Sequence, residues 1–569
     1  MISISGKNWE EVRVQKRLID KVKIDFDLNE TQAKIALSRN YTNQDFFLIN
    51  NEIKLNNPFF NTDDFLLGCE ILNKNIKNQN NILIIGDYDV DGCMSTSIFF
   101  NFLKENNNAN IHYYIPDRFK DGYGASKDLI INLSKRFKPN LTIFLDCGSN
   151  SYEAIKYLKS KKINTLIIDH HNTTLPYPVS DVFINPKKKV STYNGYDYLC
   201  TTFLTYLFLD MYIRKYKVKK SIQYSMIYVL LATVADVMPM RGINKILAKN
   251  VLLHFDISKN LVFKNLFKIL EIKSKLTLND VGYKIAPLIN AAGRLENANE
   301  VIELFTTELE EKVYKILNKL SKLNNKRKLI EKRILDELNY LDLYNEKGVL
   351  FLYNPNLHEG VIGILASRVK DYFDKPCFVI TNSGNILKGS ARSTSNFNIG
   401  KYIQYAVKSK ILLGGGGHNL AAGVSLKQTE LVNFKTYINN KYNKKNYLTM
   451  NTYLSILSFN SIDNQFFESL EKLGPFGNEN SQPIFLIKDI KFTKQKIVKD
   501  KFIKCFIKKG VKLIKSISFN HLKSKISYQI LNYKKNLDVL VKVKINNWNN
   551  KNNIELEIID IINNTIKLD

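Results

Sequence analysis

Arginine is scarce in this chain: there are only a dozen among 83 basic residues, and none after Arg392. Where lysine is so abundant, an arginine inside a Gly-rich or turn-like motif marks a need for the planar fork that grips phosphate bidentately. Arg118, Arg294, Arg368 and Arg392 sit in such motifs. Cysteine is scarce too. Its six copies (Cys69, Cys93, Cys147, Cys200, Cys377 and Cys505) form no CxxC pair and keep no regular spacing. That excludes a disulfide framework and a thiolate zinc site. Long apolar runs are missing: the longest, around Met226 to Ala235, falls far short of the ~20 residues that span a bilayer. The opening residues, MISISGKNWEEVRV, lack a basic stretch followed by an apolar one. No export and no membrane association are therefore expected, and the expected compartment is the cytoplasm.

The 569 residues are too many for a single core. At roughly one domain per 150 residues, three or four are expected. The formal charge of +29 suits a polyanionic partner. Lysine and asparagine are plentiful everywhere, however, as in Asn106 to Asn108 and Asn546 to Asn553, so compositional bias can supply the same charge without function.

Residues 1 to about 60 read as polar helical segments. From about Asn80, short β-branched runs alternate with helical stretches: NILIIGD, IHYYIP, LTIFLD, INTLIID and VFINP. Such alternation argues for a parallel sheet with helices on its faces. Asn299 to Leu341 has helical spacing without Gly or Pro and reads as one or two long helices joining two domains. A second α/β pattern runs from GVLFLYNP to GGGGHNLAAGVSL. The last hundred residues are mostly strands, with VKVKI (Val541 to Ile545) and IELEI (Ile554 to Ile558) alternating across an Asn-rich turn, as in a small β-barrel.

The chemistry gathers where these strands end. LIIGDYDVDG places Asp87, Asp89 and Asp91 between an apolar strand and a helix. Ligands of open parallel sheets collect at that edge. Three carboxylates at alternate positions repel one another unless a cation neutralises them. An EF-hand loop is excluded, because position twelve counted from Asp87 is Ile98 and not Glu. LTIFLDCG ends in Asp146, NTLIIDHH in Asp169, His170 and His171, and the helix-like LATVADVMP carries Asp236. Any one of these taken alone would be a cap or turn residue. Together, carboxylates with one or two imidazoles make a hard donor set suited to Mn²⁺ or Mg²⁺.

GDYDVDG, DCG, DHH and ADVMP, in that order, resemble the four motifs of the DHH phosphoesterases. YIPDRFKDGYG, INP, APLINAAGRL, HEGVIGILASR, LKGSARS and GGGGHNLAAG resemble, more narrowly, the RecJ exonuclease family. The resemblance implies that Asp89, Asp91, Asp146, His170 and Asp236 ligate two divalent cations, Mn²⁺ or Mg²⁺, with Asp87 and His171 in supporting or proton-handling roles. It also implies that substrate is held by Arg118, Tyr123, Asn290, Arg294, Arg368, Ser390, Arg392, Gly417 and His418. Arg294, Arg392 and His418 would grip phosphates around the cut, and Arg118 with Ser390 a terminal 5′ phosphate.

The implied fold is α/β. Residues 1–58 form a helical segment, 59–298 a parallel-sheet DHH domain, 299–345 a connecting helix, 346–450 a smaller DHH-associated domain, and 451–569 an oligonucleotide-binding barrel. Small-molecule members of the superfamily lack that barrel, so its presence favours a polymer. Within it, GPFGNENSQPIF (Gly474 to Phe485), Phe492, Phe502 and Phe506 would stack bases, unless they fill the barrel core. The implied activity is 5′→3′ hydrolysis of single-stranded DNA in recombination and repair, by a monomer, with a helicase and a single-strand-binding protein as partners. A short-oligonucleotide or cyclic dinucleotide phosphodiesterase is the first alternative, and an inactive nucleic-acid scaffold the second. Two departures stand out. LCTTFLTY (Leu199 to Tyr206) has threonines where RecJ proteins carry glycine or alanine, and Asn244-Lys245 stands where Asn-Arg is usual. Neither is expected to touch a metal ligand.

Overall fold

The computed structural model describes residues 1–106, 110–122, 124–273, 275–338, 343, 346, 348–442, 450–499, 501–520, 522, 524–533, 535–548 and 551–562. The chain divides into two compact units. One is Asn51–Ile330 together with the loop Pro475–Asn480. The other comprises Met1–Asn50, Glu331–Gly474 and Ser481–Asp569.

In the first unit, the five apolar runs form five strands, Ile82–Ile85, Ile111–Tyr114, Leu141–Leu145, Asn164–Ile168 and Val182–Ile184. All pair in parallel, and numbered along the chain they stand in the order 2-1-3-4-5. Three of the strands are buried throughout, because helices cover the sheet. Helices Lys127–Phe137 and Tyr152–Ser160 press Leu129, Leu133, Ile155 and Leu158 onto Ile85, Phe144 and Ile167. Helix Val90–Asn106 packs against Thr201–Tyr216 and Met226–Ala235. The chain order reverses between Ile82–Ile85 and Leu141–Leu145, and a crevice opens at the carboxyl ends of strands flanking such a reversal. Asp87 to Asp91 and Asp146 lie there. The helical stretch expected over 299–341 is two helices, Asn299–Thr306 and Glu310–Glu337. Residues 339–342 lie outside the described residues. Among the described residues, no helix is long and apolar enough to cross a membrane.

The second unit carries the other α/β pattern as a mixed sheet, in the order Gly414–His418, Ala421–Leu426, Ile386–Arg392, Cys377–Ser383, Leu350–Tyr353. Strands Phe485–Val498, Phe502–Lys509, Lys512–Ser518, Lys551–Ile562 and Leu537–Trp548 close a barrel in that spatial order. VKVKI and IELEI pair antiparallel as their alternation requires, with Val541 opposite Ile558 and Val543 opposite Leu556, all four buried. Phe485 and Phe492 are core residues, whereas Phe502 and Phe506 are half-buried. The expectation of stacking surfaces in GPFGNENSQPIF also shifts, since Pro475–Asn480 packs with the first unit. Asn478 accepts from the Met240 N–H through its carbonyl (2.8 Å), its Nδ2 donates to the Val237 carbonyl (2.7 Å), and Glu479 pairs with Arg241 (3.0 Å). The amino-terminal segment is not wholly helical. Strand Asn8–Glu11 pairs in parallel with Met450–Tyr453, while the Ser5 hydroxyl and the Trp9 indole N–H both donate to the buried Asp560 carboxylate (2.6 and 3.1 Å).

Candidate metal centre

The first strand ends at Ile85, and the chain turns through Asp87 and Tyr88 into helix Val90–Asn106. The turn is too tight for a side chain at Gly92, where a Cβ would lie 2.5 Å from the Asp87 backbone nitrogen and oxygen. Asp146, one residue past its strand, adopts φ 63°, and Val237, one past Asp236, adopts φ 55°. Left-handed backbone at an aspartate, and still more at a β-branched valine, is strained, and such strain concentrates at functional sites.

These turns bring separate segments together. Ligating atoms of Asp91, His170 and Asp236 lie within 4.8 Å of one another, and so do those of Asp146, His170 and His171. His170 Nε2 is central, at 3.3 Å from Asp236 Oδ2, 3.4 Å from Asp146 Oδ1 and 3.7 Å from Asp91 Oδ2. The other imidazole is anchored from behind. His171 Nδ1 donates to Asp169 Oδ1 (2.8 Å), and Asp169 also accepts the N–H groups of His170, His171 and Ser149. Asn185 of the INP motif donates to the His171 carbonyl (2.9 Å) and the Ser149 hydroxyl (2.8 Å). A carboxylate behind a ligating histidine fixes its tautomer and ring orientation.

The electrostatics test whether this donor set fits a cation. Burial, followed by neighbouring carboxylates, pushes Asp87 up to about 7 and Asp146 and Asp236 well above the usual carboxylate range. Burial and the charge of His171 push His170 down to about 4. His171 rises to about 9, since the Asp169 carboxylate outweighs the burial that would lower it. Burial alone would raise Asp169, but His171 and the hydrogen bonds hold it well below its ordinary value. A buried knot of mutually repelling carboxylates around an imidazole is relieved by divalent cations, and hard oxygen donors with one or two nitrogens fit Mn²⁺ or Mg²⁺.

The grouping differs from expectation at two residues. His171, assigned a supporting role, reaches ligand distance, whereas Asp89 Oδ1 accepts the Gly92 N–H (3.1 Å) at the start of the helix. Asp89 still faces the cluster, for its charge raises Asp87, Asp146 and Asp236. The threonine departure does touch the ligands, contrary to expectation. Thr201 and Thr202 donate to Asp91, and Thr201 Oγ1 donates to Asp146. Asn244 instead secures backbone, donating to the Tyr198 and Pro239 carbonyls. Lys187, which sequence reasoning passed over, has its amine pushed down by burial, while Asp236, Asp169, Asp197 and Asp146 pull it back up. Its position directly after INP was the only signal available.

Of the residues expected to hold substrate, Arg118 and Arg294 converge on Tyr88. The Arg118 guanidinium lies 5.3 Å from the ring centroid, and both arginines oppose the burial and the Asp87 charge that raise the phenol. Asn290 Oδ1 accepts the Val90 N–H (3.1 Å), so it secures the aspartate loop. Tyr123 lies outside the described residues. The other five belong to the second unit. His418, Ala421 and Arg392 stand in one row across three strands, and Ser390 and Gly417 lie on the same two outer strands of the three. Arg368 Nε is committed to an ion pair with Glu331 (2.8 Å), which takes one edge of the fork expected to grip phosphate.

The modules of this fold match known families. Family models match at 81–234 (DHH family, N-terminal domain), 346–444 (DHHA1 domain) and 455–560 (RecJ OB domain). The single-stranded-DNA-specific exonuclease RecJ of Haemophilus influenzae is 29% identical over 381 residues, which cover 63% of this chain and 66% of that protein. The enzyme of the same name from Bacillus subtilis is 24% identical over 573 residues, covering 98% of this chain and 71% of that one. The fold matches the crystal structure of RecJ in complex with Mn²⁺ from Thermus thermophilus with a TM-score of 0.82 at 20% identity, over 97% of this chain and 79% of that one. The chain thus carries a DHH domain, a DHHA1 domain and a RecJ OB domain in that order, and its similarity is to RecJ exonucleases of the DHH superfamily.

Proposed function

We propose that this protein is a metal-dependent exonuclease specific for single-stranded DNA, hydrolysing phosphodiester bonds from the 5′ end in recombination and repair. The observation that carries this reading is the convergence of Asp91, Asp146, His170, His171 and Asp236, from four separate segments, at the reversal point of the sheet. Asp91, Asp146, His170 and Asp236 would hold two divalent cations, Mn²⁺ or Mg²⁺, with His171 at the edge of the same set and Asp89 beside it. Bound cations supply a Lewis-acid clamp on the scissile phosphate and lower the pKa of a water to near neutrality.

The rest is the work of the chain's own groups. Asp169 and Asn185 orient His171, the carboxylate through the ring Nδ1 and the amide through the backbone carbonyl. Asp87 closes the turn by accepting the Tyr88 N–H (2.7 Å). Arg118 and Arg294 both lie at Tyr88, where Arg294 would grip a phosphate beside the cut and Arg118 a terminal 5′ phosphate. The row of Arg392 and His418, with Ser390 beside it, offers the same chemistry in the second unit. The barrel favours a polymer, and the half-buried Phe502 and Phe506 among many lysines suit single-strand stacking. Action as a monomer in the cytoplasm, alongside a helicase and a single-strand-binding protein, belongs to the same reading.

Digestion of 5′- and 3′-end-labelled single strands and of duplex, with Mn²⁺ and Mg²⁺ compared, tests the proposal. Mononucleotides released from the 5′ end of single strands support it. Faster cleavage of di- to pentanucleotides than of long strands refutes it in favour of a short-oligonucleotide phosphodiesterase.

A further inference from the structure

We propose that Thr201 and Thr202 are positioning residues that set the geometry of the metal centre by locking two of its carboxylates. The inference rests on the metal-centre reading above. Both threonines are fully buried in the first turn of helix Thr201–Tyr216. Asp91, itself 1% exposed, receives three donors from them. Thr202 N–H and Thr202 Oγ1 donate to Oδ1 at 2.8 and 2.6 Å, and Thr201 N–H donates to Oδ2 at 2.8 Å. Thr201 Oγ1 donates to Asp146 Oδ1 at 3.0 Å. One helical turn thus joins carboxylates that arrive on two different segments.

The arrangement also assigns the oxygens. Asp91 Oδ1 is occupied by two donors, while Oδ2 takes one and faces His170 Nε2 at 3.7 Å. Asp91 is therefore turned to present Oδ2 to a cation. Asp146 Oδ1, at 3.4 Å from the same imidazole nitrogen, is held by the Thr201 hydroxyl on a backbone already strained at φ 63°. Threonine suits the task, because its β-branch restricts the side-chain torsion. The helix amino terminus adds a favourable field for the Asp91 carboxylate. Glycine or alanine here would keep both N–H donors and lose both hydroxyls, so the hydroxyl contribution can be isolated.

Mn²⁺ binding without DNA, followed by the electron paramagnetic resonance of the free ion, isolates it. T201V/T202V preserves shape and deletes both hydroxyls, and T201S/T202S restores them. The valine pair is expected to bind Mn²⁺ about 10–100-fold more weakly, as is usual when partners behind metal ligands are removed. The serine pair is expected to return to within about threefold of the unmodified protein. Equal Mn²⁺ affinity in the valine pair and the unmodified protein overturns the proposal. Failure of the unmodified protein itself to bind Mn²⁺ overturns the metal-centre reading instead. If thermal melting shows the double variant unfolded, T201A decides by the same criterion, since alanine is the best helix former and leaves Asp146 alone without its donor.

Discussion

Replacing Gly293 with alanine sets two physical effects against each other. Gly293 lies within helix Ala286–Leu295, one residue before Arg294. In an unobstructed helix the change stabilises by roughly 0.5–1 kcal/mol, because glycine forfeits more backbone entropy than alanine. Here a Cβ would stand 2.3 Å from the Tyr88 carbonyl oxygen and 3.1 Å from its carbonyl carbon and Cβ. Restoring ordinary contact of about 3.5 Å requires the helix or the Tyr88 loop to yield by roughly 1 Å. Such overpacking costs about 1–3 kcal/mol, which outweighs the gain and yet stays small against a typical stability of ~5–15 kcal/mol. The variant is therefore expected to fold with a slightly lowered melting temperature. Its activity should suffer far more, because the yielding loop carries Asp87, Asp89 and Asp91, and a misplacement of ~1 Å costs up to about 10²-fold. Mn²⁺-dependent degradation of labelled single strands, measured beside a thermal melt, checks both halves. A variant that is more stable and equally active would refute the reasoning, for the helix would then be indifferent to its contact with Tyr88.

Asp146→Ala is expected to abolish cleavage while leaving single-strand binding largely in place, as a mobility-shift assay beside a digestion would read; unchanged activity refutes the ligand assignment. Mn²⁺ at about a hundred times its dissociation constant should add ~2.7 kcal/mol to stability. For a domain of about 250 residues that amounts to a melting rise of roughly 5–11 °C, absent in Asp146→Ala and reversed by a chelator. Trp9→Phe removes one of two side-chain donors to the buried Asp560 carboxylate and should cost about 1.5–3 kcal/mol in denaturant titration, with no cost sinking the idea that this pair anchors the amino terminus.

The candidate site was legible because its segments follow apolar runs: Asp87 to Asp91, Asp146 and Asp169 to His171 come directly after buried strands, and Asp236 follows the very apolar helix Met226–Ala235. Hydrophobic pattern alone therefore located the reactive edge of the sheet. Contacts made by chemically ordinary residues were not legible. Threonine at a helix start usually caps that helix, and nothing local reveals that Thr201 and Thr202 point at Asp91 and Asp146 instead. Likewise, the parallel pairing of Asn8–Glu11 with Met450–Tyr453 joins segments more than four hundred residues apart, and no short-range pattern encodes it. The loop Gly474 to Phe485 misled for a related reason. Its glycines and its Phe476 resemble a binding surface, yet the partners that fix it, Val237, Met240 and Arg241, lie far upstream.

That loop has a consequence for dissecting the enzyme. Val237 keeps its strained backbone next to Asp236 while its carbonyl is satisfied by an asparagine that ribosomes reach some 240 residues later. Translation must then pass Asn480 before the Asp236 turn has its permanent support, and a fragment excised at the connecting helices would leave the Met240 amide and the Val237 carbonyl seeking water. Nuclease cores cut from this chain should for that reason retain the downstream hairpin, supplied in the same polypeptide or as a separate peptide.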